Sequence, residues 1–270
     1  MSILHKVKNV ICLSVFAVGS LQAQLFDGLG FGGGDCCPGP LNPCANGFVV
    51  KGGVAPTWWS DRGDSYVVTP GLIPTTVNIG AESFNNQFHT PWTVGGELTY
   101  NFTDHMQLFA EGVYRQGDGK HINTLFSDGT IAGSGLDSFR AWGVYGGARY
   151  YLNRWECIGI APFVGAKLGF VHHQSVRSNV AFTIVGAAPI TVKNTIYKSN
   201  NTFSFGIQAG FDYEICQCLY LVFTAEGVFT GPMRTSHNSS IGAAGISNFI
   251  SGETGAEISV PVTLGIRWEF

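Results

Sequence analysis

Two sets of side chains in this sequence have the types and spacing to do chemistry: its cysteines, and a series of charges set among apolar neighbours. The cysteines are clustered. Cys36, Cys37 and Cys44 stand in "DCCPGPLNPC", Cys157 in "RWECIGI", and Cys216 and Cys218 in "EICQCLYL", while Cys12 stands alone near the start. Thiols in an oxidising compartment form disulfides, and four thiolates can hold zinc. The "CC" and "CQC" pairs lack the usual two-to-four-residue gap of a zinc site, so disulfides are the expected chemistry and no metal is assigned. Six cysteines allow about fifteen pairings, and sequence does not choose among them. Adjacent Cys36 and Cys37 point different ways, which favours at least one bond to another chain. Internal bonds between the N-terminal segment and the later cysteines are the alternative.

The charges are Lys51, Glu97, Glu111, Arg149, Lys167, Asp212, Glu226 and Arg267. Each lies on the polar parity of a stretch whose other parity is apolar. Such residues share one face of a strand. No nucleophile–base–acid set accompanies them, so no enzyme activity, catalytic residue or cofactor is expected. His172 and His173 mark the outer end of a strand, and His89 and His237 fall in connections, where solvated histidines are commoner than ligands. "GSG" at 133–135 reads as a loop tip without the strand-to-helix context of a phosphate cradle.

The elements that must carry these residues are strands. In "AEISVPVTLGIRWEF" every second residue from Ile258 to Phe270 is apolar. This is period two over a length that exceeds an ordinary soluble strand of about 5–6 residues. Seven more segments follow the rule, at about 48–59, 91–102, 105–116, 139–152, 157–171, 202–214 and 218–230. Connections near 103–104, 153–156 and 215–217 are tight, whereas those at 60–90, 117–138, 172–201 and 231–255 are long and polar. Short turns at one end and long loops at the other predict an all-β, closed antiparallel transmembrane barrel of eight strands. The short turns are then periplasmic and the long loops extracellular. "VAFTIVG" and "ITVKNTIYK" read as a hairpin above the membrane, and ten strands is the alternative. Aromatics at strand ends (Trp58, Trp59, Trp92, Tyr150, Tyr151, Trp155, Trp268) fit interfacial girdles. "LFAEGVYRQGDG" and "FTAEGVFTGP" form a weak internal repeat, from hairpin duplication or from similar demands on equivalent strands.

The chain begins "MSILHKVKNVICLSVFAVGSLQAQ". Lys6 and Lys8 precede an apolar run from Val10 to Val18, and Ala23 offers a cleavage site, the order of a secretory signal peptide. The expected organisation is therefore a signal peptide at 1–23, a Cys/Gly/Pro-rich periplasmic segment at 24–47 and a barrel at 48–270. A charged fraction of 12% and a net charge of −3 give no footprint for nucleic acid. On this reading all six mature cysteines fall on the periplasmic side. Trp268 and Phe270 end the last strand as the kind of C-terminal signal that barrel-assembly machinery reads.

At "FGGGDCCPGPLNPCANG", "RWECIGI" and "EICQCLYL" the sequence resembles the chlamydial major outer membrane porins. The resemblance implies a cysteine-cross-linked envelope protein with porin activity. In size and loop pattern the chain looks more like the eight-stranded barrels of the outer membrane protein A and opacity-protein families, which implies a narrow lumen. The function expected is a structural barrel in a disulfide-linked envelope with at most limited pore activity. A small-solute porin and a surface adhesin acting through its loops are the alternatives. Its partners would be outer-membrane lipid, the assembly machinery, disulfide-linked envelope proteins or a second copy, and a host-surface ligand.

Overall fold

The computed structural model describes residues 41–43, 45–59, 65–68, 76–79, 84–125, 131–152, 159–183, 190–216, 218–235 and 255–270. Eight antiparallel strands close on themselves: β1 (Asn46–Val54), β2 (Trp92–Asn101), β3 (Met106–Gly117), β4 (Phe139–Tyr151), β5 (Ile160–His173), β6 (Asn200–Cys216), β7 (Leu219–Thr230) and β8 (Val262–Glu269). Each pairs with the next, and β8 returns to β1 in a register from Gly47 opposite Glu269 to Val54 opposite Val262. Closure leaves the barrel no open edge, so its backbone groups are satisfied within the sheet, as hydrocarbon requires.

Period two sorts the two faces. Ile207 is 69% exposed, and its neighbour Gln208 only 4%. Leu98, Val144, Leu168, Phe170 and Leu264 are likewise exposed. A band of large apolar side chains around a polar interior is the arrangement of a barrel that faces lipid.

Two expected strands are interrupted. The segments read as 48–59 and 256–270 each break at a proline, because proline brings no N–H to the ladder. β1 stops at Val54, and Thr57–Trp59 resumes beyond Pro56. β8 is preceded by Glu257–Ser259, with Val260 and Pro261 between. The breaks face each other: the Val260 N–H donates to the Pro56 carbonyl at 2.8 Å, and the Glu226 N–H to the Pro261 carbonyl at 2.9 Å. Beyond them Glu257–Ser259 pairs with both β7 and Thr57–Trp59, so the wall continues. At this seam Gly53 runs so close to β8 that a Cβ would overlap the Val262 carbonyl.

The short-turn end is built locally. After β2, the Thr103 hydroxyl accepts the Met106 N–H at 2.9 Å, and the Phe102 N–H reaches the Met106 carbonyl at 2.8 Å. Residues 41–45 are fastened to the same end. The Leu41 N–H donates to the Asp104 carbonyl at 3.2 Å, and the Asn101 N–H to the Ala45 carbonyl at 2.9 Å. Leu41 is buried with Val49, Tyr151, Phe163 and Val222.

Three of the long connections contribute strands at the other end. His121–Leu125, Ile131–Leu136, Val176–Thr183, Ile190–Lys198 and Arg234–Thr235 form a separate five-stranded sheet. The Val176–Thr183/Ile190–Lys198 hairpin belongs to this sheet and not to the barrel, which excludes ten strands. "GSG" at 133–135 is therefore no loop tip. It lies in Ile131–Leu136, bonded on both sides, and pairing supplies the order that its glycines do not. Below this sheet a short helix, α1 (Phe84–Gln87), brings Phe84 and Phe88 onto Phe139, with ring centroids 4.9–5.9 Å apart. Tyr145, Val171, Val176 and Met233 complete this apolar cluster.

Candidate functional site

The inward face of the barrel is a stack of ion pairs. At its centre the odd-numbered strands alternate in charge: Lys51 on β1, Glu111 on β3, Lys167 on β5 and Glu226 on β7. Lys51 Nζ lies 2.7 Å from Glu111 and 3.0 Å from Glu226, and Lys167 Nζ lies 2.6 Å and 2.5 Å from the same two carboxylates. Glu97 on β2 joins the ring, 2.5 Å from Lys51 and 2.7 Å from Arg149 on β4. Three cations therefore meet three carboxylates. Each ion is almost fully buried, which is tolerated only where partners and hydrogen bonds replace water. The two "AEG" repeats place Glu111 and Glu226 on opposite walls, so the repeat supplies both carboxylates of the ring.

Toward the short turns lies a second layer. Arg267 pairs with Asp212 at 2.8 Å and with Glu269 at 3.3 Å. The Tyr151 hydroxyl donates to Asp212 at 2.7 Å and accepts from Arg267 at 2.9 Å. Asn101 donates to Glu269 and accepts from Gln107, each at 2.8 Å, and Gln107 accepts from Arg149 at 3.3 Å, which joins the two layers. Toward the long-loop end Arg115 pairs with Glu257 at 2.7 Å and donates to the Ser259 hydroxyl at 2.9 Å. Between this pair and the central ring is a gap of about 10 Å³, lined by Lys51, Glu111, Arg115, Lys167, Glu226 and Ser259 among others. That is roughly room for one water. The Phe84–Phe88–Phe139 cluster packs toward the long-loop end of the stack, and Leu41 packs with Tyr151 and Phe163 toward the short-turn end.

Lys51, Glu97, Glu111, Arg149, Lys167, Asp212, Glu226 and Arg267 are thus all buried in the lumen. Sequence reasoning left out of that set Arg115, Glu257 and Glu269, although they occupy the same parity. It also placed Tyr151 in the outer girdle. Tyr151 is fully buried, while Tyr150 beside it is exposed, because adjacent strand residues face opposite ways. The histidine pair divides likewise: His173 faces the interior, and His172 faces outward against Trp142 at 5.2 Å. His89 is exposed, and His237 lies outside the described residues.

Cys216 ends β6, and Cys218 is exposed in the following turn with φ of 67°, the left-handed conformation a tight reversal demands. Cys36, Cys37, Cys44 and Cys157 lie outside the described residues, as do Trp155 and the segment read as a signal peptide. Trp268 is exposed on the lipid-facing side of β8, and Phe270 follows that strand.

No protein-family model matches the chain, and no curated protein matches it in sequence. Solved structures resemble it in fold. OprG from Pseudomonas aeruginosa is 16% identical, with a TM-score of 0.47, over 85% of this chain and 98% of that one. Neisserial surface protein A is 12% identical, with a TM-score of 0.41, over 83% and 97%. Ail of Yersinia pestis is 11% identical, with a TM-score of 0.36, over 85% and 100%. These are outer-membrane proteins. Likenesses of this degree say nothing about ligand or activity. The closed eight-stranded sheet, its apolar belt and its loop asymmetry identify the protein as an integral β-barrel of the outer membrane.

Proposed function

We propose that the protein is a sealed structural barrel of the cell envelope, held to its neighbours through periplasmic disulfides rather than serving as a solute channel. The observation that carries this reading is the lumen. Its three central cations balance three carboxylates, and apolar clusters stand toward both ends. An eight-stranded barrel is just wide enough for side chains to fill. A conducting path would need these ion pairs to separate, which leaves buried charges unpaired at a cost of about 3–5 kcal/mol for each partner removed.

The cross-linking half of the proposal rests on the cysteines. Cys216 and Cys218 lie at the short-turn end, and residues 41–45 lead the N-terminal segment to the same end. The resemblance of the cysteine tracts to the chlamydial porins supports the same reading. In it, residues 1–23 direct export, the segment that carries Cys36, Cys37 and Cys44 is the tether, and the barrel from Asn46 on is the membrane anchor.

A second reading, surface recognition, draws on the five-stranded sheet. It offers a partner an ordered β surface at the long-loop end.

The test is conductance of the refolded mature protein in a planar bilayer, run beside a non-reducing gel of alkylated envelopes. Quiet membranes with a reducible ladder support the proposal. Large, steady channels would instead establish a porin.

A further inference from the structure

The cations outside the lumen are not spread evenly. Among the described residues Lys120, Arg140, Arg177, Lys193, Lys198 and Arg234 all lie at the long-loop end. Arg140, Arg177, Lys198 and Arg234 are exposed, and no ion pair joins them to an acid among the described residues. Asp118 follows β3 and accepts the Ser138 hydroxyl at 3.2 Å, and Asp137, before β4, donates its N–H to the Arg177 carbonyl at 2.9 Å.

Lys198 and Arg234 are direct cross-strand partners. Their Cβ atoms are therefore about 4.5–5.5 Å apart on one face, where like charges repel. Tyr197, next to Lys198, is buried in the apolar cluster, so Lys198 points away from the barrel interior. Two cations set against each other, with no acid between them among the described residues, are stabilised when an anion takes that place.

Their height selects the anion. Trp142 packs against His172 in a tilted contact, and His172 stands opposite Asn201 and bonds to its side chain at 2.6 Å and to the Ser199 hydroxyl at 3.1 Å. This row of aromatic and polar groups marks the membrane interface. Arg140 is two residues beyond Trp142, and Lys198 three beyond Asn201. At about 3.3 Å per residue and a tilt of about 40°, they stand roughly 5 Å and 8 Å further out. The headgroup layer is about 5–7 Å thick on each side, so Arg140 stands within it and Lys198 at its outer edge.

We propose that Lys198 and Arg234 bind the phosphorylated headgroup of a lipid in the outer leaflet.

The test uses the full mature protein in neutral detergent, stripped of lipid. It is titrated with diphosphorylated lipid A, with the same lipid dephosphorylated, and with sodium pyrophosphate, and complexes are counted by native mass spectrometry. The phosphorylated lipid should be retained, and the other two lost. K198A/R234A should weaken retention about 30-fold, from two cations worth about 1 kcal/mol each, while K198R/R234K should keep it. Equal retention of the two lipid forms, pyrophosphate binding as tight as the lipid, or an unaffected alanine variant would each overturn the proposal. If the alanine variant fails to fold, the three-ligand comparison on the wild-type chain decides alone.

Discussion

Lys51 and Lys167 stand four strands apart in a barrel of eight, on opposite walls, and hold the same two carboxylates, Glu111 and Glu226, between them. Removing either lysine takes one of two cationic partners from both acids at once. The lumen behaves as one electrostatic unit, and its members are coupled.

The coupling gives the first prediction. Lys167→Met leaves three carboxylates to two cations in the central ring, and should destabilise the barrel by about 3–5 kcal/mol. K167M/E226Q restores the balance, and should recover most of that loss. Urea unfolding in lipid vesicles, followed by tryptophan fluorescence, measures both. A single variant within about 1 kcal/mol of wild type, the scale of an exposed pair, would show that the ring does not act as a unit.

The seam between first and last strands gives the second. Gly53→Ala puts a methyl group against the Val262 carbonyl and the Thr263 backbone. Overpacking of this kind costs about 1–3 kcal/mol. The variant should unfold at lower urea, and should lose the compact form that unboiled barrels show on a detergent gel. Gly146, around which a Cβ would meet nothing within 4 Å, is the control: Gly146→Ala should behave as wild type.

The C-terminus gives the third. Trp268 stands opposite both Phe48 and Leu219, and Glu269 accepts from Asn101 and Tyr220 inside. Deleting Trp268–Phe270 removes the last contacts that close the barrel at its short-turn end. The truncated chain should accumulate in the periplasm and be degraded. Its normal appearance in the outer-membrane fraction would refute an assembly role for these residues.

The fourth concerns the thiols. Envelopes prepared with a thiol-blocking reagent should give a ladder on a non-reducing gel that collapses on reduction, and serine at Cys36, Cys37 and Cys44 together should shorten it. Monomer carrying six alkylated cysteines would remove the cross-linking function.

Strand positions were legible because membrane strands must be long, and because one face meets lipid while the other does not. Parity then assigns sides residue by residue, and at Tyr150–Tyr151 it outranks the rule that aromatics gather at girdles. The interruptions at Pro56 and Pro261 were visible as residues but not as a matched pair, because only the closed sheet sets them side by side. Of the outer sheet the Val176–Thr183/Ile190–Lys198 hairpin was legible, and the rest was not for a different reason. Ile131–Leu136 has three polar or glycine positions in six, and its order comes from neighbours more than 40 residues away in Val176–Thr183. Inward direction follows from sequence. The partners of an inward charge depend on barrel register, which no single segment encodes.

The fastening of residues 41–45 has a mechanical meaning. A pull on the chain before Leu41 enters the barrel through the Leu41–Asp104 and Ala45–Asn101 bonds, and then runs along β1. β1 is laced on both sides, to β2 from Asn46 to Val54 and to β8 from Gly47 to Val54. Force along a strand loads all of these hydrogen bonds in shear at once, whereas force across it would unzip them one by one. A tether leaving from this point hands its tension to the sheet in the direction in which the sheet is strongest.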